Sequence, residues 1–248
     1  MKQKLWIGLA TGLMMLGMVE VAGATLVTIG TATYGTSSYN LIWDANNNGH
    51  SVVWLDYSHA ADTWANQNAW ADGLNGLGVL SYNLTGYSVN WGTNAWRLPT
   101  TVDGVKTYGY DGTTTAGYNI TSSEMGYLYY TDLGNKSYWD TDGDALQAGG
   151  GLTRVGDFAN LQPPWFWYWS GTESAANGGG AWGFYMCYGG QNVYSEDTFI
   201  SGLAVRTGQV TYSGGATPTP EPATMLLLGT GLAGLIGGRM KRRRGRAA

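Results

Sequence analysis

The apolar positions of this chain fall into three patterns. Two long apolar runs stand at the ends, over residues 5–19 and 223–238. Between them lie short runs of strand length, at 39–43, 51–56, 181–188 and 202–207, rich in Val, Ile, Trp and Tyr. Runs of this kind, bounded by Gly, Asn and Ser, predict strands joined by tight turns. Asn48-Gly49, Asn75-Gly76 and Asn177-Gly178 mark turns, because both residue types tolerate the positive φ that tight turns require. A helical period appears over 60–74, where Trp64, Gln67, Asn68, Ala71 and Leu74 share one face and Trp70 lies off it. Ser122-Ser123-Glu124-Met125 offers the start of a second, shorter helix.

The end runs belong to targeting rather than to the fold. Lys2 and Lys4 precede the first run, and Ala22-Gly23-Ala24 follows it as an A-x-A cleavage site. Residues 1–24 therefore read as a signal peptide cut after Ala24, with Ala22 and Ala24 as the recognised pair. The second run follows Pro220-Glu221-Pro222 and precedes Arg239, Lys241, Arg242, Arg243 and Arg244. Its uncharged residues would span about 24 Å as a helix at roughly 1.5 Å per residue. That is slightly short of a bilayer core, yet the uncharged run before a basic cluster predicts a C-terminal transmembrane helix with the cluster held in the cytoplasm. The order of triplet, apolar span and basic end resembles the PEP-CTERM sorting signal. The resemblance implies export, transient anchoring at the inner membrane and processing by an exosortase near Pro220, Glu221 and Pro222. It also implies a final place on the outer surface, or in the extracellular matrix, of a Gram-negative bacterium. The chain thus divides into a signal peptide (1–24), one globular domain (25–211), a Gly/Thr/Pro spacer (212–219) and the sorting tail (220–248).

Setting the ends aside changes the charge. Residues 25–219 keep five of the 13 Lys and Arg but fifteen of the 17 acids, so the exported body carries about −10 instead of −4. A body this acidic is repelled by nucleic acid and attracts divalent cations. The whole chain's 40 Gly, 12 Trp and 17 Tyr disfavour long helices. The single cysteine, Cys187, reads as a small core residue.

Seven blocks in the body carry a second resemblance. They are Trp54-Leu55-Asp56, Trp64-Ala65-Asn66-Gln67, Trp96-Arg97-Leu98-Pro99-Thr100, Ser123-Glu124-Met125-Gly126, Tyr168-Trp169-Ser170-Gly171-Thr172, Ala181-Trp182-Gly183-Phe184 and Ala204-Val205-Arg206. Their order resembles the Lcl C-terminal domain family over most of residues 39–210. Gly171 stands where the commoner block has Ser. The resemblance implies an α+β, C-type-lectin-like domain of short antiparallel strands with one or two helices.

The candidate chemistry is sparse. Arg97, set between Trp96 and Leu98, reads as a semi-buried cation paired with Glu124, Glu173 or a carbonyl, and alternatively as a ligand contact. In the run Trp165-Phe166-Trp167-Tyr168-Trp169, the residues Trp165, Trp167 and Trp169 share one strand face. The run is apolar on both faces, which indicates burial; flat indole faces also suit stacking on sugar rings. Asp44, Asn46 and Asn48 match the first half of a calcium loop, but Leu55 stands where the bidentate Glu belongs. Asp140, Asp142 and Asp144 form a second acidic turn, and calcium is the cofactor either would take. His50 and His59, the chain's 2 histidines, sit beside no nucleophile motif, so no catalytic residues are assigned. The expected protein is a non-enzymatic surface or matrix component whose domain binds polysaccharide or protein. The alternatives are a matrix protein without a specific ligand and a secreted carbohydrate-active enzyme.

Overall fold

The computed structural model describes residues 26–161 and 167–214. Ten strands form one mixed sheet in the order β4-β1-β2-β3-β11-β8-β9-β10-β7-β6, and β5 pairs with β12 beside it. The first three strands are a meander: β1 (Val27–Tyr34), β2 (Ser37–Asn47) and β3 (His50–Asp62). After them come α1 (Trp64–Gly73), β4 (Leu80–Leu84), β5 (Tyr87–Asn90), β6 (Tyr108–Gly109) and β7 (Ala116–Gly117). One helical turn, α2 (Glu124–Tyr127), runs directly into a π-helical turn at Leu128–Asp132. The chain closes with β8 (Trp167–Glu173), β9 (Gly180–Tyr185), β10 (Gly190–Ser195), β11 (Ile200–Thr207) and β12 (Gln209–Tyr212).

Alternation along the central strands decides the layering. Ile42, Val52, Trp54, Leu203 and Val205 face one side and pack on Met125, Leu128 and Tyr129. Leu41, Val53, Leu55 and Ala204 face the other and pack on Ile29, Leu74 and Trp96. Strands β2, β3 and β11 are therefore apolar on both faces at the sheet centre, as a doubly covered sheet demands. Asn48 and Gly49, at φ 49° and 84°, close the β2–β3 hairpin as their sequence predicts.

Two expectations need correction. The body is not an α+β lectin-like domain of short strands; it is mostly β, built on a large mixed sheet whose β3 alone runs 13 residues. Its helix formers are too few to sustain more than the 10 residues of α1 and the single turn of α2. No helix among the described residues is long and apolar enough to cross a membrane, and the expected transmembrane helix over 223–238 lies outside them. The helix expected over 60–74 begins instead at Trp64, because residues 60–62 extend β3 along β11. Asp62 marks the switch: its Oδ1 accepts the Thr63 N–H and the Asn66 amide, both at 2.8 Å.

Candidate functional site

The Trp-Arg-Leu-Pro-Thr and Ser-Glu-Met-Gly blocks meet in one clamp. Arg97 bridges to Val205 of β11 by paired backbone bonds, which aims its side chain at α2. There Nη1 and Nη2 donate to Glu124 Oε2 and Oε1 at 2.6 and 2.7 Å. Oε2 also accepts the Thr100 N–H at 2.6 Å, and Ser123 Oγ caps the helix by accepting the Gly126 N–H at 3.0 Å. The guanidinium edge that could hold a ligand is thus spent on Glu124. Arg206 is structural as well, with its guanidinium carbon 4.6 Å from the Trp91 ring centroid.

The aromatic run divides. Tyr168 and Trp169 are fully buried, and Trp169 Nε1 donates to the Asp62 carbonyl at 3.1 Å. Trp182 is equally buried and donates to Asp103 Oδ1 at 2.9 Å, which holds that carboxyl below its usual range. Trp167, at the start of β8, is only partly buried. Its ring stacks on Tyr185 at 4.1 Å and 3° and takes the edge of Tyr194 at 4.4 Å. From Tyr185 the rings continue to Tyr188 (4.8 Å), Tyr138 (4.2 Å), Trp139 (6.0 Å) and Tyr110 (6.3 Å). Every member of this ribbon is partly accessible. Beside Tyr194 opens a shallow depression of about 370 Å³, with Lys106, Asn177 and Ser195 on its walls. Lys106 is its one charged group, and the rest of the wall is neutral: the Asn177 amide, the Gly178–Gly180 backbone, Val193 and Ser195. The sequence pointed to Trp167, whereas the tyrosines come from separate strands and turns and left no local signal.

The two expected calcium loops do not assemble as loops. Asp44 is buried, while Asn46 and Asn48 are exposed on the hairpin tip, and the Asn46 N–H donates to Asp44 Oδ1 at 3.1 Å. Asp142 and Asp144 are exposed; Asp140 Oδ1 accepts the Asp144 N–H at 3.0 Å in an ordinary polar turn. Among the described residues no three His, Cys, Asp or Glu side chains converge.

Asp44 instead meets Asp132, which the π-turn supplies. Burial first, and then the charge of Asp44, hold the Asp132 carboxyl far above the usual carboxylate range. A carboxyl whose pKa is raised by folding stabilises the fold below its unfolded value and loses that contribution as pH rises through the folded one. Without added metal, the melting temperature of the full chain relative to that of Asp132→Asn should therefore fall as pH climbs from about 4 toward the folded value of about 9. Parallel pH profiles for the two proteins would contradict the assignment.

Pro220, Glu221 and Pro222 of the triplet lie outside the described residues, as do Ala22, Ala24, Trp165 and the basic cluster Arg239 to Arg244. Comparison with known families matches the PEP-CTERM protein-sorting motif to residues 218–244. No family match supports the lectin-like reading of the body. No curated protein and no solved structure matches the chain. The motif implies an exported protein, sorted by an exosortase and processed at the membrane.

Proposed function

We propose that the exported β-rich body is a non-enzymatic polysaccharide-binding component of the cell surface or extracellular matrix. The ribbon from Trp167 through Tyr185, Tyr188, Tyr138 and Trp139 is the observation that carries this reading. Rings in edge and stacked contact form a rigid apolar strip, and such strips suit the C–H faces of pyranose rings, with phenol and indole groups at hand for hydroxyls. The adjoining depression, with its single lysine, suits neutral or weakly acidic sugars better than a strongly charged partner. Export and exosortase processing at the membrane support this reading.

The test is retention of the purified chain on the host's own exopolysaccharide and on a panel of neutral glycans. Trp167→Ala and Tyr188→Ala should each weaken binding about tenfold, since one aromatic contact is worth roughly 0.5–1.5 kcal/mol beyond its buried area. Both side chains also pack on neighbouring rings, so each variant should lose some melting temperature, and binding is compared well below the midpoint of each protein. Retention by no glycan, or retention indifferent to both substitutions, would leave a matrix protein without a specific ligand.

A further inference from the structure

The β2–β3 hairpin and the π-turn meet over a group of oxygen atoms. Asp44 is fully buried and gives Oδ2 to the Asn47 amide at 2.9 Å. Asn47 is also fully buried; its Nδ2 donates a second time, to the Glu124 carbonyl at 3.1 Å. Its Oδ1 is inaccessible and accepts nothing. Both carboxylate oxygens of Asp132 are likewise inaccessible and without a hydrogen-bond donor. Asp132 lies against the side chains of both Asp44 and Asn47, yet neither gives its oxygens a well-formed hydrogen bond. Among the described residues the ion pair is Arg97 with Glu124, so no Lys or Arg neutralises Asp44 or Asp132. Adjoining buried carboxylates and an orphaned amide oxygen are costly unless a cation or a proton joins them.

We propose that Asp44, Asn47 and Asp132 form a binding site for a hard divalent cation, calcium before magnesium. The donor set is two carboxylates, joined by the Asn47 amide oxygen once that amide turns over from presenting Nδ2 to Asp44, and oxygen is the ligand chemistry calcium takes. The backbone is shaped to deliver it. The β2–β3 register slips between Asp44 and Asn47, and both side chains end up buried while Asn46 between them is exposed. On the other side, the π-turn places Asp132 at the carbonyl end of the helical segment, where a cation is favoured and a bare carboxylate is not. This set differs from the hairpin-tip residues Asn46 and Asn48, which point to solvent. With three protein ligands, the affinity falls in the range of extracellular calcium modules, on the order of 10⁻⁴ to 10⁻³ M. The site is independent of the polysaccharide reading.

The experiment uses the full chain stripped with chelator. Terbium, excited through protein aromatics, is the optical probe, because Tyr127 sits close enough to Asp132 and Asp44 for both to raise its phenol pKa after burial does. Sensitised terbium emission should appear, and calcium should displace it more effectively than magnesium. Saturating calcium should raise the melting temperature by about 5–10 °C. Asp132→Asn should lose at least nine-tenths of the emission while raising the melting temperature in chelator. Asp142→Asn with Asp144→Asn, in the exposed turn, should leave binding intact. If Asp132→Asn does not fold, the turn variant still decides: binding abolished there refutes the proposal, and binding retained supports it. Absence of both terbium emission and a thermal shift at 10 mM calcium in the unsubstituted chain would overturn it.

Discussion

Replacing Arg97 with methionine is expected to lower stability by about 3 kcal/mol, the low end of the cost of breaking a buried ion pair. At roughly 2–4 °C per kcal/mol for a domain of this size, the melting temperature drops by about 6–12 °C. The cost comes from what is left behind. Glu124 has a side chain only 9% exposed, against 36% for Arg97, so removing the guanidinium strands the less solvated partner. The Thr100 N–H and hydroxyl remain on Oε2, but they do not cancel a charge. Methionine keeps most of the aliphatic volume between Trp96 and Leu98, which isolates the electrostatic loss from a packing loss. The double substitution Arg97→Met with Glu124→Gln should recover at least half of the drop. Glutamine still accepts from Thr100 and no longer carries a charge. Thermal denaturation of the three proteins checks this. An unchanged melting temperature in Arg97→Met, or a double variant as unstable as the single, would show that solvent already screens Glu124.

The pair also shows how far the sequence can be read. An arginine held between two large apolar residues has to find an acid or a carbonyl, and Glu124 stood among the candidates on that argument alone. The strands at 39–43, 51–56 and 202–207 were legible for a similar reason. Central strands of a covered sheet must be apolar on both faces, and those runs are. The Asn48-Gly49 turn was legible because its backbone needs positive φ at both positions. What failed was everything that depends on an irregularity. Asp132 carries no local signal, because a π-turn shifts it off the face that a 3.6-residue period assigns. Asn47 reads as one more polar residue of a hairpin tip, until a bulge turns it inward beside Asp44. The overall class failed for a different reason. The motif blocks specify local clamps such as Arg97 with Glu124, but they do not specify that β11 joins the β1–β3 meander to the β8–β10 meander in one sheet. That junction rests on the antiparallel pairing of β11 with β3 and a single parallel contact, Ser201 with Tyr168, and neither has a short-range signature.

Gln67→Met should be the other large effect, a loss of about 2–3 kcal/mol from the buried Ile200 carbonyl and the part-buried Ala60 carbonyl left without donors, at roughly 1–3 kcal/mol for a fully buried one. Gln67 is fully buried on the inner face of α1, where the helical period placed it. Its Nε2 donates to the Ala60 carbonyl at 2.7 Å and to the Ile200 carbonyl at 2.9 Å. Those carbonyls flank a register shift between β3 and β11, at Ile200 and Gly202, where the ladder cannot satisfy them. With both amide hydrogens committed, Oε1 accepts from His59 Nδ1 at 2.9 Å. The fit leaves no room for a side chain at residue 202, since a Cβ there would stand 2.3 Å from Oε1. Methionine matches the length and volume of glutamine, so the measured loss reports the hydrogen bonds and not a cavity. Gln67→Glu separates the donors from the shape. Ionised, glutamate offers no donor to either carbonyl and adds a buried charge; protonated, it regains one donor. Burial raises its folded pKa above the unfolded value, so its stability should fall as pH rises. The Glu variant should therefore approach the unsubstituted protein at pH 4.5 and fall furthest behind it at pH 7.5. If both variants melt within about 1 °C of the parent at neutral pH, a shift far below the expected loss, Gln67 does not hold the bulge.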